Sequence, residues 1–292
     1  MIQVMSTQPH VILGPRTIHL GNWKLHLVSD GRFWLDGGAM FGVIPKPLWS
    51  RVIACDERNR IPLGLNCLLI QTGESNILVD TGIGTKEDAK AKEIYRMEPA
   101  GILMEQLAAV GVSPGDIDWV INTHLHFDHC GGNTARVGNT ERPAFPNATF
   151  FVQAGEMHDA RNSNERNRAS YLPRNWESIG SKWELLQGDV NLARGISVFE
   201  TPGHTAHHQS VRVEKDGKTV VFLADVMPTI HHISLPWIMG YDLYPMTTLE
   251  SKRKLLPRMV DENWLLIFEH EAFKPVGRVV KDAGKHVFVE EL

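Results

Sequence analysis

Short apolar runs separated by turn-forming residues dominate the chain, and their periods set the expected elements. Residues 65–71 and 76–80 read as two strands around Thr72-Gly73-Glu74-Ser75. Ile117-Asp118-Trp119-Val120-Ile121, residues 148–153 and Ile196-Ser197-Val198-Phe199 read as further strands. Residues 211–213 and 219–224 read as a hairpin around Lys215-Asp216-Gly217-Lys218, and residues 24–34 as another that turns at Ser29-Asp30-Gly31. Helical spacing replaces alternation over 99–110, where Ile102, Leu103, Leu107 and Val110 share a face and Gly111 can end the helix. Residues 155–161 begin a second helix, and 247–259, with Leu249, Leu255, Leu256 and Met259, form a third. Residues 41–60 carry Pro45 and Pro47 and read as irregular, either covering a site or meeting a partner chain. Residues 162–182 are rich in Asn, Arg and Ser and read either as a solvated insertion or as part of a lid or dimer contact. Strands alternate with helices first in one half and then in the other. That order predicts an α+β fold, a four-layer αβ/βα sandwich. One domain is expected over 1–292, with 1–60 as a covering segment and 162–182 as an insertion.

Composition narrows the function classes. The chain has 292 residues, 42% of them hydrophobic, enough for one large core. Its net charge is −4 with no long basic run, which argues against a nucleic-acid surface. No apolar stretch reaches the roughly 20 residues of a membrane span, and residues 1–16 lack the pattern of a secretion signal. Cys55, Cys67 and Cys130 have no Cys-x-x-Cys spacing, so reduced thiols and a cytoplasmic location are expected. Cys130 is expected to pack beneath the neighbouring loop. There is no glycine-rich dinucleotide fingerprint and no Gly-x-Ser-x-Gly nucleophile elbow.

The densest chemistry lies in Thr123-His124-Leu125-His126-Phe127-Asp128-His129, which follows an expected strand and precedes Gly131-Gly132. Three imidazoles and a carboxylate within six residues are borderline-metal ligands. In extended backbone His124 and His126 point the same way and can chelate one ion. Asp128 is expected to continue that alternation and His129 to break it, so that both face a second ion. Four ligands cannot fill two coordination spheres. Others are sought at strand ends, where Thr201-Pro202-Gly203-His204, Asp225 and His270 stand. Burying so many imidazoles without a metal is costly.

At these residues the chain resembles the metallo-β-lactamase superfamily, whose His-x-His-x-Asp-His loop stands here as His124, His126, Asp128 and His129. The family's later His, bridging Asp and final His match His204, Asp225 and His270. Asp80, in Val79-Asp80-Thr81-Gly82, matches an early turn with a supporting role. The set, together with residues 36–42 and 235–242, is most similar to the quorum-quenching N-acyl homoserine lactone lactonase branch. The resemblance implies the metallo-β-lactamase fold and a metal-dependent carboxylic ester hydrolase. His124, His126 and His204 would surround one ion, Asp128, His129 and His270 the other, and Asp225 would bridge them. A hydroxide between the ions would attack the acyl carbonyl, and Asp128 would pass a proton to the leaving group. Zinc is the default for such ligands; iron, cobalt or manganese also fit. One departure from the branch is Pro228, which stands where some lactonases place a Tyr that contacts the substrate carbonyl.

His232, Trp237 and Tyr241 lie on a Pro-bounded segment soon after Asp225, and with Met40 and Phe41 they are the candidates for an acyl pocket. The expected substrate is a small lactone or ester, foremost an N-acyl homoserine lactone. Phosphotriester, phosphodiester or other ester hydrolysis on the same metal pair is the alternative. The resemblance also implies that the chain could form a homodimer.

Overall fold

Strands whose two faces are both apolar need cover on both sides, and the fold supplies it in four layers. The computed structural model describes residues 14–291, which include two seven-stranded sheets and one small hairpin. The first sheet runs Arg16–Leu20, Trp23–Asp36, Arg60–Gln71, Asn76–Val79, Trp119–Ile121, Thr149–Gln153 and Trp183–Leu186, in that spatial order. The second runs Val190–Ala193, Ile196–Glu200, Gln209–Lys215, Lys218–Phe222, Leu265–Ile267, Val276–Asp282 and Lys285–Glu290. Both mix antiparallel and parallel pairs. Asn76–Val79 lies parallel to Trp119–Ile121, and Lys218–Phe222 parallel to Leu265–Ile267.

The period of two sorts the side chains between layers. Leu68, Ile70, Ile77 and Val79 of the first sheet meet Val211, Val213, Val220 and Phe222 of the second in the central core. Their neighbours Cys67, Leu69 and Leu78 face outward onto Leu103 and Leu107 of the helix Leu103–Ala109. Val221 and Leu266 face outward onto Leu255, Leu256 and Met259 of the helix Pro245–Asp261. The αβ/βα sandwich expected from the sequence is therefore the observed architecture.

Several local expectations are corrected. Residues 24–34 are not a hairpin but part of one strand, Trp23–Asp36, whose pairing with Arg60–Gln71 slips between Ser29 and Arg32. Asp30 explains the slip: it is buried, and its carboxylate accepts from Gly84 N at 2.7 Å and Leu103 N at 3.0 Å. The Ser-Asp-Gly triplet thus fastens distant loops instead of reversing the chain. The helix expected over 99–110 starts only at Leu103. Within the expected covering segment 1–60, residues 1–13 lie outside the described residues, and 16–36 are sheet strands. A short helix, Gly37–Phe41, leads into the irregular stretch, and a second, Lys46–Trp49, lies within it. The stretch 162–182 holds two 3-10 segments; most of it is exposed, but Tyr171, Trp176 and Ile179 are buried. Among the described residues no helix is long and apolar enough to cross a membrane.

Phe222 is fully buried where the two sheets meet. Phe222→Ala is expected to lower the unfolding free energy by about 3–5 kcal/mol, read by urea denaturation. A loss below about 1 kcal/mol would show that the inter-sheet core is not the main packing layer.

Candidate metal centre

The candidate ligands follow strands of both sheets, three of them members of parallel pairs and one, Ile196–Glu200, paired antiparallel on both sides. Trp119–Ile121 leads into residues 122–126, and a four-residue helix, Phe127–Cys130, follows. His126 is still extended at φ −69° and ψ 155°, but Asp128 lies in the helix. The expected alternation through Asp128 therefore fails, and a helical turn places Asp128 and His129. Gly131 and Gly132 let this turn lie against the backbone of residues 81–83. A Cβ on either would come 2.2 Å from Ile83 O or 2.3 Å from Thr81 O. His204 follows Ile196–Glu200, Asp225 lies in a 3-10 turn after Lys218–Phe222, and His270 follows Leu265–Ile267.

All seven side chains are buried and brought together. Asp225 sits between two groups. Its Oδ2 lies 3.1 Å from His204 Nε2, 3.5 Å from His129 Nε2 and 3.9 Å from His124 Nε2. Its Oδ1 lies 3.2 Å from His270 Nε2. His126 Nδ1 and His204 Nε2 are 3.0 Å apart. On the other side His270 Nε2 approaches His129 Nε2 at 3.2 Å and Asp128 Oδ2 at 3.7 Å. The groupings with metal-holding geometry include His124 with His126 and His204, Asp128 with His129 and His270, and His124 with His129 and Asp225.

The outer hydrogen bonds test whether cations fit. His270 Nδ1 lies 2.9 Å from Gly64 O, and a carbonyl only accepts, so the proton is on Nδ1. His204 Nδ1 faces Asp242 Oδ1 at 3.0 Å, and Asp242 Oδ2 in turn accepts from the Thr248 hydroxyl at 2.7 Å. His129 Nδ1 lies 3.2 Å from Asp80 Oδ2 and 2.9 Å from Glu269 Oε2. The Thr123 hydroxyl donates to Asp80 at 2.6 Å, leaving its oxygen to accept from His124 Nδ1 at 3.1 Å. Four imidazoles thus keep their protons outside and turn Nε2 lone pairs inward. His124 Nε2, His126 Nε2 and Asp225 Oδ1 are buried with no hydrogen-bond partner. Lone pairs facing one another at such distances repel unless positive charge lies between them, so this donor set fits divalent cations.

Protons can supply the positive charge in place of a cation: although burial opposes it, the nearby carboxylates raise the pKa of His204 and push that of His270 up to about 9. Burial, then the neighbouring imidazoles, push His124 and His126 well below the usual histidine range. Burial opposes charge on His129 too, but Glu269, Asp225 and Asp128 outweigh it and hold its pKa well above that range. For Asp225, burial is outweighed by His270, His204 and His129, and its carboxyl is held well below the carboxylate range. His208 is pushed down to about 3 by burial, then by His204; its neutral Nε2 accepts from Asp225 N at 3.1 Å. Cys130 is buried beneath the loop, with Sγ 3.3 Å from Leu125 O.

A cavity of about 250 Å³ opens onto the centre. Asp128, His126, His204, Asp225 and His270 reach it, beside an apolar wall of Leu35, Met40, Phe127, Met239 and Leu243. Tyr95, Tyr241, Arg166, Asn167 and Ser170 supply its polar side, so the 162–182 stretch forms part of the wall. Of the expected pocket residues, Met40 and Tyr241 line it; His232, Trp237 and Phe41 do not. His232 is buried away from it, joined to Met40 O at 2.9 Å and to Thr229 Oγ1 at 2.8 Å. Phe41 stacks on His232 at 5.3 Å, and Trp237 packs edge-on against Phe41. These three aromatic groups build the wall's support. Pro228 contributes its carbonyl, which accepts from His270 N at 2.9 Å.

Asp242, Glu269, His208 and Glu156 escaped sequence reasoning as site residues. Glu269 adjoins His270 and Asp242 closes the 235–242 segment, so proximity was the one available signal. Their partners are set only by the tertiary fold.

The model of the metallo-beta-lactamase superfamily matches residues 60–270. An N-acyl homoserine lactonase of Bacillus sp is 30% identical over 91% of this chain and 98% of its own length. The crystal structure of a probable metal-dependent hydrolase from Staphylococcus aureus superposes with a TM-score of 0.87 at 31% identity, over 94% of this chain and 100% of that one. AidC, a dizinc quorum-quenching lactonase solved with a product, gives 0.81 at 21% identity over 96% and 98%, a likeness of fold.

His232 yields a pH prediction. Burial pushes its pKa down to about 3, so the unfolded chain takes up a proton near pH 6.5 that the folded chain refuses. Stability is then lost as pH falls from about 6.5 toward 3, by up to about 1.4 kcal/mol per pH unit from this group. In chelator-treated protein, His232→Asn should flatten the dependence of unfolding free energy on pH between about 6 and 4 by that amount. Equal slopes for parent and variant would contradict the assignment.

Proposed function

The chain belongs to the metallo-beta-lactamase superfamily, as a metal-dependent hydrolase, and on that premise we propose that it opens lactones, foremost N-acyl homoserine lactones, at a dinuclear centre. The observation that carries the reading is the convergence of inward-facing imidazole nitrogens on Asp225 beside a half-apolar cavity. His124, His126 and His204 would hold one divalent ion, Asp128, His129 and His270 the other, and Asp225 would join both. Zinc suits this nitrogen and carboxylate set. When bound, such a pair supplies Lewis acidity toward a carbonyl and makes water a nucleophile at neutral pH.

The chain's own groups do the rest. Asp128 is the carboxylate of the helical turn that opens onto the cavity, placed to carry a proton to the ring oxygen as the acyl carbon–oxygen bond breaks. Water adds across that bond and the product is a hydroxy acid. Leu35, Met40, Phe127, Met239 and Leu243 suit an acyl chain and exclude water around the ester. Tyr95 and Tyr241 are phenols on the polar side, available to a substrate carbonyl in the absence of a tyrosine at position 228. The near full-length similarity to an N-acyl homoserine lactonase supports the acyl lactone over other esters. Free Cys55, Cys67 and Cys130 support a reducing compartment, the cytoplasm.

The test is a panel of acyl homoserine lactones of several chain lengths, aryl esters and phosphotriesters, run on protein of measured metal content. The reading expects about two ions per chain and highest kcat/KM on an acyl lactone. It expects Asp225→Asn to lower that value by at least about a hundredfold. A clear preference for phosphotriesters would replace the lactone assignment, and full activity in Asp225→Asn would remove that residue from the centre.

A further inference from the structure

Glu156 lies on the helix Ala154–Arg161, and its carboxylate is fully buried without a cationic partner among its hydrogen bonds. Burial of a carboxylate is costly unless its lone pairs are filled. Here three donors fill them, each from a segment distant in sequence. Oε1 accepts from Leu125 N at 3.1 Å and from the Tyr171 hydroxyl at 2.8 Å; Oε2 accepts from the Thr205 hydroxyl at 2.6 Å. Leu125 stands between His124 and His126, and Thr205 follows His204. Tyr171 belongs to the 162–182 stretch, and its ring packs against His126 with centroids 4.8 Å apart at 61°. The neighbouring residue Ser170 lines the cavity. One carboxylate therefore fastens both backbone segments that deliver the three-histidine group, and ties them to the cavity wall. Packing alone does not call for it, since an apolar side chain would fill the space without the cost of burying a charge.

We propose that Glu156 is a positioning residue for the three-histidine half of the centre, and that Tyr171 extends its grip to the wall formed by residues 162–182. This rests on the two-cation reading above. Leu125 N–H has a fixed direction and cannot turn to accept, whereas the two hydroxyls can. Glu156→Leu keeps the bulk but leaves the Leu125 N–H, which cannot turn away, and both hydroxyls without their acceptor, so it loosens the site with little change in volume. Tyr171→Phe removes one hydrogen bond and keeps the ring.

The experiment is titration of the metal-free parent and both variants with cobalt(II), following absorbance and chelator competition, beside the melting temperature of each metal-free protein. In Glu156→Leu one of the two dissociation constants should rise about ten- to a hundredfold, with the other changed by less than about threefold. Tyr171→Phe should raise the same constant by a smaller factor, and it decides the matter alone if the first variant does not fold. Constants that stay at parent values, or that move together with a lowered melting temperature, would overturn the positioning role. A parent that binds a single ion would overturn the two-cation reading itself, whatever the variants do.

Discussion

The hydrogen bonds on the outer nitrogens of the histidines are the constraint on which the centre depends. Gly64 O, Asp242, Asp80 and the Thr123 hydroxyl each accept a hydrogen bond from an Nδ1. That choice fixes the tautomers and leaves lone pairs facing inward, an arrangement that repels itself in a buried, low-dielectric site. The protein tolerates it because the surrounding sheets hold the loops rigidly. Ala224 adopts φ 49°, a left-handed conformation rare for alanine, and Asp80 φ 52°, where aspartate is better tolerated, at the strand ends nearest the site.

The fold makes this convergence affordable in entropy as well. Ligands leave the ends of strands in both sheets, and the central core locks those sheets face to face. Links between loops finish the work. Asn66 Nδ2 donates to Phe268 O and Glu271 O on either side of His270, and Gln209 Nε2 donates to Asn122 O ahead of His124. Buried Lys252 donates to the carbonyls of Ser234 and Trp237, tethering the segment that carries Met239 and Tyr241. A rigid frame of this kind holds ligands within the tolerance that a metal pair requires.

The strands and the dense histidine cluster were readable because both rest on local patterns. Alternation marks a strand wherever one pairs, and three imidazoles within six residues have few purposes besides metal binding. What escaped depends on partners far along the chain. Ser29-Asp30-Gly31 has the composition of a turn, yet Asp30 is claimed by amides at positions 84 and 103 and the strand runs through. The polar look of 162–182 hides Tyr171 and Trp176, which the fold buries. His232, close in sequence to Asp225, is drawn off by Thr229 and Met40. Nearness along the chain named the right segment there and the wrong side chain.

Anomalous diffraction from crystals of the metal-loaded protein tests the central claim most directly. Two peaks should flank Asp225, one beside His124, His126 and His204 and the other beside Asp128, His129 and His270. A single peak, or density instead between Asp80, His129 and Glu269, which also have metal-holding geometry, would contradict it.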